Sequence, residues 1–443
     1  MMRGTRVLVV AAAVIAAVVV GAVVPAAGVG SAAKPKAAEV GITDTEIRIG
    51  VIADVDNPIV PGLFQSSVDV MNAWAKTVNK QGGIAGRKIV IDFLDSKLNP
   101  SETRNAIITA CAQDFAIVGS TALFMTNVDD LVNCENAQGK PVGIPDLPGI
   151  ALDPAEQCSP VQYRFQGISS LHCDTRTDNP STYSVQRGDF EYYLSTNKDL
   201  HGIWTLASDT PTTKNAEIAT FQAGVDLGIK KDGQGFYDVS ARSQQSALTP
   251  LIQTVKNDNS NWVFNGTAPG IMALLRKEAV IQGADSVKVW ACNQGCYDGT
   301  YLDQAGADAE GTHATLQFLP FYTEYKSNAS LRTLAKAMGG VDKLNGNGVS
   351  SWIAALLFQD AAGKAVATGA TLTRQSLLDA LKTEQSFDAQ GIVGPADVGN
   401  HQISPCFVVA QVKHGKWVRE YPAKAVTFDC KPSNVVDMKA EAH

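Results

Sequence analysis

The sequence lacks the motifs that identify the common enzyme classes. It contains no His-Glu-x-x-His, no Gly-x-Ser-x-Gly and no Walker phosphate loop, and residues 82–88 have the glycines of such a loop at the wrong spacing. The six histidines are scattered without the spacing that holds a metal ion. Cys292 and Cys296 are too far apart for a Cys-x-x-Cys redox motif. We therefore expect a protein that is not an enzyme, with no cofactor and no metal site.

Strong charge of either sign is also missing. Charged residues make up 18% of the chain, the net charge is −7 and the isoelectric point is near 5.4. Such a chain has no electrostatic footprint for a nucleic acid, so no nucleic-acid partner is expected. Hydrophobic residues make up 45%, which is typical of a globular protein, and 443 residues exceed one ordinary core. Composition therefore predicts two folded domains with shorter additions.

The sequence has one long apolar run, near its N-terminus. Arg3 and Arg6 precede an apolar segment at 7–24, and small residues follow at 31–33. This order predicts a signal peptide over 1–33, and a linker over 34–43 follows it. The alternative is an uncleaved membrane anchor, because about 18 apolar residues reach the length that spans a bilayer. In both cases we expect the rest of the chain outside the cytoplasm: periplasmic, at the cell surface or secreted.

Eight cysteines in an exported chain predict disulfides. Pairing them in sequential order keeps each bridge within one supersecondary unit, although the sequence alone leaves the connectivity open. The preferred pairs are Cys111–Cys134, Cys158–Cys173, Cys292–Cys296 and Cys406–Cys430.

Strands and helices alternate through the first part of the chain. The predicted elements are strand 47–53, helix 62–79, strand 89–93, helix 101–113, strand 115–119, helix 124–137 and strand 140–144. Apolar residues such as Met71 and Trp74 recur at helical spacing in the first helix, and the glycines at 82, 83 and 86 turn the chain into the second strand. This alternation predicts a parallel sheet with right-handed crossovers, hence an α/β fold.

The same alternation continues in the second part. The predicted elements are helix 182–194, strand 202–207, helix 214–227, strand 236–240, a helix around 248–255, strand 261–265, helix 270–282 and strand 287–291. Three more helices follow at 329–338, 350–368 and 373–383. Strands 407–412 and 416–421 are predicted to form a hairpin through His414 and Gly415. We expect the chain after Lys431 to be frayed.

Three motifs in order resemble one family. They are the run at 43–50, the Asn-x-x-Gly-Gly-Ile-x-Gly-Arg turn at 79–87 and Ile-Val-Gly-Ser at 117–120. Together they resemble type I periplasmic binding proteins, in particular the branched-chain amino acid receptors of ABC importers. The resemblance implies a two-lobed fold, in which each lobe is a mainly parallel sheet flanked by helices and three hinge crossings join the lobes. A bridge like Cys111–Cys134 is common in that family.

The resemblance and the element order together predict the domain limits. The predicted parts are lobe I at 44–165 and 316–395, lobe II at 166–315 and 396–431, and a tail at 432–443, with crossings near 162–165 and 313–318.

The ligand site is expected where parallel strands end. In open parallel sheets, ligands bind beyond the C-terminal ends of the strands. The predicted strand ends are Asp54, Ser120, Thr121, Pro145, Asp146, Leu147, Asp209, Thr210, Asn265, Gly266, Thr267, Asn293 and Gln294, and the preferred ligand contacts among them are Ser120, Thr121, Asp146, Leu147, Thr210, Thr267 and Asn293. Their hydroxyls, amides and exposed backbone suit a small polar ligand. Ser120 and Thr121 also precede a predicted helix whose N-terminal amides can hold a carboxylate.

The resemblance adds roles for some of these residues. It implies that Ser120 grips the carboxylate of an amino acid and that Tyr183 contributes an aromatic ring from lobe II. It also implies an acidic side chain after a lobe II strand, but residues 265–270 contain none. Because a buried ammonium without a carboxylate partner is costly, we do not expect leucine or its relatives as the ligand. Asp146 is the candidate replacement for the missing acid.

Each candidate also has a purely structural explanation. Ser120 can cap a helix, and Tyr183 can pack between elements. Asp146 can be a solvated loop carboxylate, and Asn293 can serve the tight turn beside it.

The function that the resemblance implies is solute capture for an ABC importer. The protein would close on a small polar or amphipathic molecule, such as an amino-acid-like compound, an amide or an organic acid, and deliver it to a permease in the membrane. The alternative is a ligand-sensing receptor of the same fold that does not transport. An enzyme on this scaffold is a third hypothesis, for which the sequence offers no nucleophile–base pair. A small-molecule ligand and an ABC permease are the expected partners of a monomer.

Overall fold

Two parallel sheets and the helices around them make up most of the chain. The computed structural model describes residues 39–165, 167–173, 182–367 and 369–440. The predicted signal peptide and the first part of the predicted linker lie outside these residues. In the part of the chain that is described, no helix combines the length and the apolar character needed to cross a membrane.

The strands are β1 (Glu46–Ala53), β2 (Lys88–Asp95), β3 (Ala116–Val118), β4 (Asp146–Leu147), β5 (Ser169–Leu171), β6 (Thr182–Gln186), β7 (His201–Ala207), β8 (Lys230–Val239), β9 (Trp262–Asn265), β10 (Val289–Cys292), β11 (Thr312–Leu316), β12 (Val408–Lys413), β13 (Lys416–Tyr421) and β14 (Val435–Lys439).

The α-helices are α1 (Gln65–Lys80), α2 (Pro100–Gln113), α3 (Val128–Val132), α4 (Pro154–Gln157), α5 (Gly188–Thr196), α6 (Pro211–Asp226), α7 (Gln245–Asn257), α8 (Pro269–Gln282), α9 (Gly299–Ala305), α10 (Phe321–Glu324), α11 (Ala329–Met338), α12 (Gly346–Val366) and α13 (Arg374–Lys382).

Lobe I is built on a four-stranded parallel sheet with the order β2-β1-β3-β4. The β1 side chains Ile47, Ile49 and Val51 are fully buried in its core. Helix α1 buries the stripe that includes Met71 and Trp74, as its helical spacing predicts. Helices α11 and α12 pack against α1, so the chain returns to this lobe after building most of the other.

Lobe II is built on a seven-stranded sheet with the order β13-β12-β11-β10-β9-β7-β8. Strands β7 to β11 pair in parallel, whereas β12 and β13 form an antiparallel hairpin on the edge beside β11. A small antiparallel sheet, β14-β6-β5, completes the lobe. The predicted hairpin is therefore confirmed.

The chain passes between the two lobes three times, which confirms the predicted two-lobed fold. It leaves the lobe I sheet after β4, returns to lobe I helices after β11, and goes back to the lobe II sheet between α13 and β12. The exact residue limits of the lobes stay predictions.

Two elements of lobe I differ from the prediction. The helix expected at 124–137 is the single short helix α3, and the strand expected at 140–144 is the two-residue strand β4 further on. The Asn136 side chain accepts hydrogen bonds from the N–H groups of Gln138 and Lys140, and Gly139 has a φ of +72°. These contacts form a turn where the prediction has continuous helix and strand.

Two elements of lobe II also differ. The segment after 182, predicted as a helix, begins with strand β6, in which the buried Tyr183 and Val185 alternate with outward-facing residues. The sequence predicts a frayed tail, but Val435–Lys439 forms β14 and pairs antiparallel with β6. Pairing with β6 satisfies backbone groups that a free tail leaves to water.

All eight cysteines are paired, and each of the four predicted bridges is present. Each bridge closes a local loop, with sequence separations of 23, 15, 4 and 24 residues in chain order.

Candidate ligand-binding site

A cavity of about 320 Å³ lies between lobe I and lobe II, and side chains of both lobes line it. The lobe I wall is apolar and includes Ile59, Val60, Leu63, Phe64, Leu98 and Leu123. The lobe II wall is more polar and includes Gln186, Asp189, Thr210, Glu217, Thr267 and Gln317. A molecule in this cavity therefore meets an apolar surface on one side and hydrogen-bonding groups on the other.

Buried polar groups behind the lobe I wall hold its leucines in place. The Asp54 carboxyl, directly after β1, is fully buried and accepts hydrogen bonds from the N–H groups of Leu98 (2.7 Å) and Leu123 (2.8 Å). It also accepts a hydrogen bond from the Ser96 hydroxyl at 2.6 Å. Burial raises the pKa of Asp54, although these hydrogen bonds oppose the rise.

A second buried group shapes the loop between β1 and α1. The Asn57 side chain accepts hydrogen bonds from the N–H groups of Ile59 (3.1 Å) and Val60 (2.8 Å), and its amide donates to the Val60 carbonyl at 3.0 Å. Ile59 and Val60 belong to the cavity wall. The loop is thus ordered by Asn57 in a conformation that presents apolar side chains to the cavity.

The lobe II wall is formed in part by the loop after β9. Gly266 lies so close to β7 that an added Cβ atom would be 2.6 Å from the Thr205 carbonyl oxygen and 2.9 Å from the Phe221 ring. Only glycine fits there. It lets the loop bring Thr267 to the cavity, where the Thr267 hydroxyl donates a hydrogen bond of 2.7 Å to the Asn265 side chain.

Helix α6 contributes one whole face to the cavity. Its lining residues recur at helical spacing and are Thr213, Ala216, Glu217, Thr220 and Phe221. The Glu217 carboxyl accepts hydrogen bonds from the Ala207 N–H (3.0 Å) and from the Thr213 hydroxyl (3.2 Å). Burial raises the pKa of Glu217 to about 8, although the nearby Lys214 opposes the rise, so this carboxyl is mostly neutral near pH 7 when the cavity holds no ligand cation.

A second acid in the cavity wall belongs to the first turn of α5. Asp189 is buried and accepts hydrogen bonds from the Phe190 N–H (2.9 Å) and from the hydroxyl of Thr315 on β11 (2.7 Å). Burial raises the pKa of Asp189 to about 6, against the effect of these hydrogen bonds. The bond to Thr315 links α5 to the strand that leads into the second crossing.

Two buried amides beside Asp189 have unused hydrogen-bonding atoms. Gln317 lines the cavity with only 1% of its surface exposed, and neither its Nε2 nor its Oε1 has a hydrogen-bond partner. Gln186 accepts a hydrogen bond from the Gly188 N–H at 2.9 Å, but its Nε2 has no partner. Because buried polar groups are nearly always paired, these atoms mark a place for a polar ligand group or a water molecule.

Six residues of the predicted strand ends line the cavity: Asp209, Thr210, Gly266, Thr267, Asn293 and Gln294. Asn293 also has the structural role that was its alternative explanation. Its side chain accepts a hydrogen bond from the Gly295 N–H (2.9 Å) and donates one to the Gly266 carbonyl (3.2 Å).

Ser120 and Thr121 are not among the lining residues. The Ser120 hydroxyl is fully buried and accepts a hydrogen bond of 2.9 Å from the Ile52 N–H, so it links β1 to the segment that follows β3. Thr121 is also fully buried. The helix expected to start beside them begins only at Val128, which removes the predicted carboxylate site at its N-terminus.

Asp146, Leu147 and Tyr183 also lie away from the cavity, in the interior of the protein. The segment around Val161 and Tyr163 runs beside β4, since the Asp146 N–H donates to the Val161 carbonyl and the Tyr163 N–H donates to the Asp146 carbonyl. Asp146 is therefore covered rather than solvated. Burial raises its pKa to about 7, and the nearby Arg164 guanidinium opposes that rise.

Two of the acids that line the cavity, Asp189 and Glu217, were missed because only strand ends were considered as ligand contacts. Glu217 is inside a helix, and Asp189 is in the first turn of one. The sequence signal for Glu217 is the spacing on α6, in which small and hydroxyl residues share one helical face with a single acid. Among the residues that the structure describes, no group of three or more His, Cys, Asp or Glu side chains is placed to hold a metal ion.

Two lobes, each built on a mainly parallel sheet flanked by helices, and a cavity between them define a two-lobed ligand-binding protein. The sequence model of a family described as "Periplasmic binding protein" matches residues 46–416. The chain therefore belongs to the periplasmic binding protein family, whose members bind solutes outside the cytoplasm. No curated protein matches the chain.

Solved structures share this fold at low sequence identity. A leucine-binding protein of Thermotoga maritima has 14% identity and a TM-score of 0.63, over 84% of this chain and 97% of that one. A fatty acid ABC transporter substrate-binding protein from Thermomonospora curvata has 16% identity and a TM-score of 0.66, over 88% and 97%. A solute-binding protein of an ABC transporter from R. palustris, in complex with benzoate, has 14% identity and a TM-score of 0.61, over 87% and 98%. These neighbours bind different ligands, so they support the fold and leave the ligand to be argued from the cavity.

Proposed function

We propose that this protein is the extracytoplasmic solute-binding protein of an ABC importer and that it holds a small amphipathic molecule between its lobes. The observation that carries the proposal is the cavity of about 320 Å³ with an apolar wall from lobe I and a polar wall from lobe II. A ligand stabilises a closed arrangement only through contacts that it makes in that arrangement. A molecule that touches both walls meets this condition.

In this role no covalent bond is made or broken. The lobes close by hinge motion at the three crossings, and a membrane permease recognises the closed, loaded protein. The second crossing follows β11, whose Thr315 is hydrogen-bonded to Asp189 in the cavity wall. Contacts of the ligand near Asp189 are thus placed to affect the hinge. We expect the protein to act as a monomer.

The test begins with the protein as isolated from its own cell envelope. Native mass spectrometry identifies a small molecule that the protein releases when it is unfolded. After refolding without that molecule, small-angle X-ray scattering compares the empty protein with the protein to which the molecule has been added again. We expect the radius of gyration to fall on reloading. A molecule that binds outside the cavity, or binding without any change in dimensions, would contradict the proposal.

Matched variants connect binding with the cavity. Ala268 lines the cavity, whereas Ala329 is exposed on lobe I. We expect Ala268→Trp to abolish ligand-induced compaction by filling the cavity and Ala329→Trp to leave it unchanged. Uptake of the identified molecule by vesicles that contain the permease then separates transport from sensing, because a sensor binds the molecule without supporting its import.

A further inference from the structure

We infer, building on the proposed receptor function, that the ligand carries a positively charged nitrogen that pairs with Glu217, joined to an apolar body that lies against the lobe I wall. This ligand class is an amphipathic amine or quaternary ammonium compound. It differs from the free amino acids, fatty acids and aromatic acids, all of which present a carboxylate.

The charged side chains among the described lining residues are three carboxyls, Asp189, Asp209 and Glu217. Asp209 is occupied by its own loop, since it accepts hydrogen bonds from the Ser240 hydroxyl and the Ala241 N–H. Ionised carboxyls in the lining attract cations and repel carboxylates, and a bound cation in turn favours the ionised form of Glu217. The cavity wall therefore favours a cationic ligand.

Glu217 has both the capacity and the position to pair with that cation. An ionised carboxylate offers about four acceptor sites, and Glu217 uses two of them, for the Ala207 N–H and the Thr213 hydroxyl. Its side chain is only partly buried and lines the cavity. Lys214, the basic residue near Glu217 on the same helix, instead donates a hydrogen bond of 2.8 Å to Asp238. A cation from the ligand would supply a charge partner for this carboxyl in the cavity.

Buried amides near Asp189 provide an independent sign of a ligand. Both polar atoms of the Gln317 side chain lack a partner although the residue is almost completely buried, and the Gln186 Nε2 is in the same situation. Both side chains line the cavity. A ligand ammonium can donate to the Gln317 Oε1, whereas the two Nε2 groups are donors and need an acceptor, such as a hydroxyl or ether oxygen of the ligand or a bridging water molecule.

The apolar lobe I wall, opposite Glu217, determines the chemical nature of the uncharged part of the ligand. Leu63, Leu98 and Leu123 contribute aliphatic surface, and the rings of Phe64 and Phe221 also face the cavity. Aromatic rings attract a neighbouring cation through their π faces, so they suit the junction between the charged nitrogen and the apolar body.

The experiment uses three probes with one carbon skeleton: phenylpropylamine, phenylpropanol and phenylpropanoate. Isothermal titration calorimetry on the full mature protein should show the amine binding about 10-fold or more tightly than the alcohol, with the propanoate weakest, because a charge-assisted hydrogen bond adds at least that factor. Glu217→Gln should reduce the affinity for the amine to that for the alcohol and leave the alcohol unchanged. Asp226→Asn removes the same charge from the end of the same helix, outside the cavity, and should change neither affinity.

The inference is overturned if the propanoate binds as tightly as the amine, which would indicate a neutral Glu217 that donates to a carboxylate. It is also overturned if Glu217→Gln leaves the amine affinity unchanged, or if none of the three probes binds. These results leave the receptor proposal standing, because the molecule that co-purifies and its effect on compaction test that proposal separately.

Discussion

The Oδ2 atom of Asp54 accepts a hydrogen bond of 2.8 Å from the N–H of Leu123, and so a fully buried carboxyl holds a residue of the ligand cavity. The other oxygen of the same carboxyl accepts from the N–H of Leu98, also a lining residue. One side chain at the end of β1 thus fixes two leucines that come from separate loops. The apolar wall of the cavity depends on a polar group behind it.

Replacing Asp54 with asparagine should therefore lower both stability and ligand affinity. The amide nitrogen of asparagine cannot accept from a backbone N–H, so one of the two N–H groups loses its partner inside the protein. We expect the free energy of unfolding to fall by about 1–3 kcal/mol in urea titrations. Asp56→Asn, at an exposed position two residues later, is the control and should be close to neutral. Equal losses in both variants would contradict this role of Asp54.

Replacing Arg374 should destabilise the protein even when the new residue is lysine. Its guanidinium is fully buried at the start of α13 and donates hydrogen bonds to the carbonyls of Cys111 (2.9 Å), Phe115 (3.2 Å) and Glu135 (2.8 Å). A lysine ammonium cannot reproduce this planar fork, and the unpaired carbonyls would remain buried. We expect Arg374→Lys to cost about 3 kcal/mol in chemical unfolding. Arg332 is exposed, so Arg332→Lys is the matched control and should leave the free energy of unfolding nearly unchanged.

The order of the elements in lobe I could be predicted because its turns need particular residues. Gly83 is one case: its φ is +78°, and an added Cβ would lie 1.8 Å from the Arg87 carbonyl oxygen. The stripe on α1 that includes Trp74 is a second local signal, since its spacing directly reports the buried face of a helix. Each of these signals involves residues that are close together in the sequence, so it can be recognised without knowledge of the three-dimensional structure.

The parts that were missed depend on contacts between distant residues. Tyr183 is buried on β6 because Val435–Lys439 pairs with that strand, and the two segments are about 250 residues apart. Asp146 is covered in part by the segment at 161–163, which is hydrogen-bonded along it, and helix α12 also packs on β4. The acid Glu217 comes from a helix face that reaches the cavity only once both lobes are assembled. Local spacing marks the helix face that carries Glu217 but does not show what that face meets, and it carries no information about the other two contacts.

Removing disulfides should lower stability according to the length of the loop that each closes. In the chain-entropy account, the bridge Cys406–Cys430, with a separation of 24, contributes about 3 kcal/mol, and Cys292–Cys296, with a separation of 4, contributes about 2 kcal/mol. We therefore expect the double variant C406A/C430A to unfold at lower urea concentration than C292A/C296A. The reverse order would show that local contacts around Cys292 outweigh loop closure.

Stability should fall as the pH rises from about 4.5 to about 8, and Glu217 should cause part of that fall. Its pKa is about 8 in the folded protein and near 4.5 when the carboxyl is exposed to water, so the folded state binds this proton more tightly than the unfolded state. The contribution of Glu217 to the free energy of unfolding is therefore largest below its pKa in the unfolded state. It is lost as the pH rises toward its pKa in the folded state. Asp146, with a pKa of about 7, acts in the same direction.

The effect of Glu217 can be isolated with a variant that cannot ionise. Between about pH 6.5 and about pH 8.5, we expect Glu217→Gln to lose about 2 kcal/mol less free energy of unfolding than the natural protein. Asp226→Asn should keep the natural slope, because its carboxyl is outside the cavity. His313, whose burial lowers its pKa to about 4, acts below this range and does not mask the comparison. Parallel slopes for the natural protein and Glu217→Gln, measured by urea unfolding at each pH, would mean that this carboxyl is already ionised in the empty cavity.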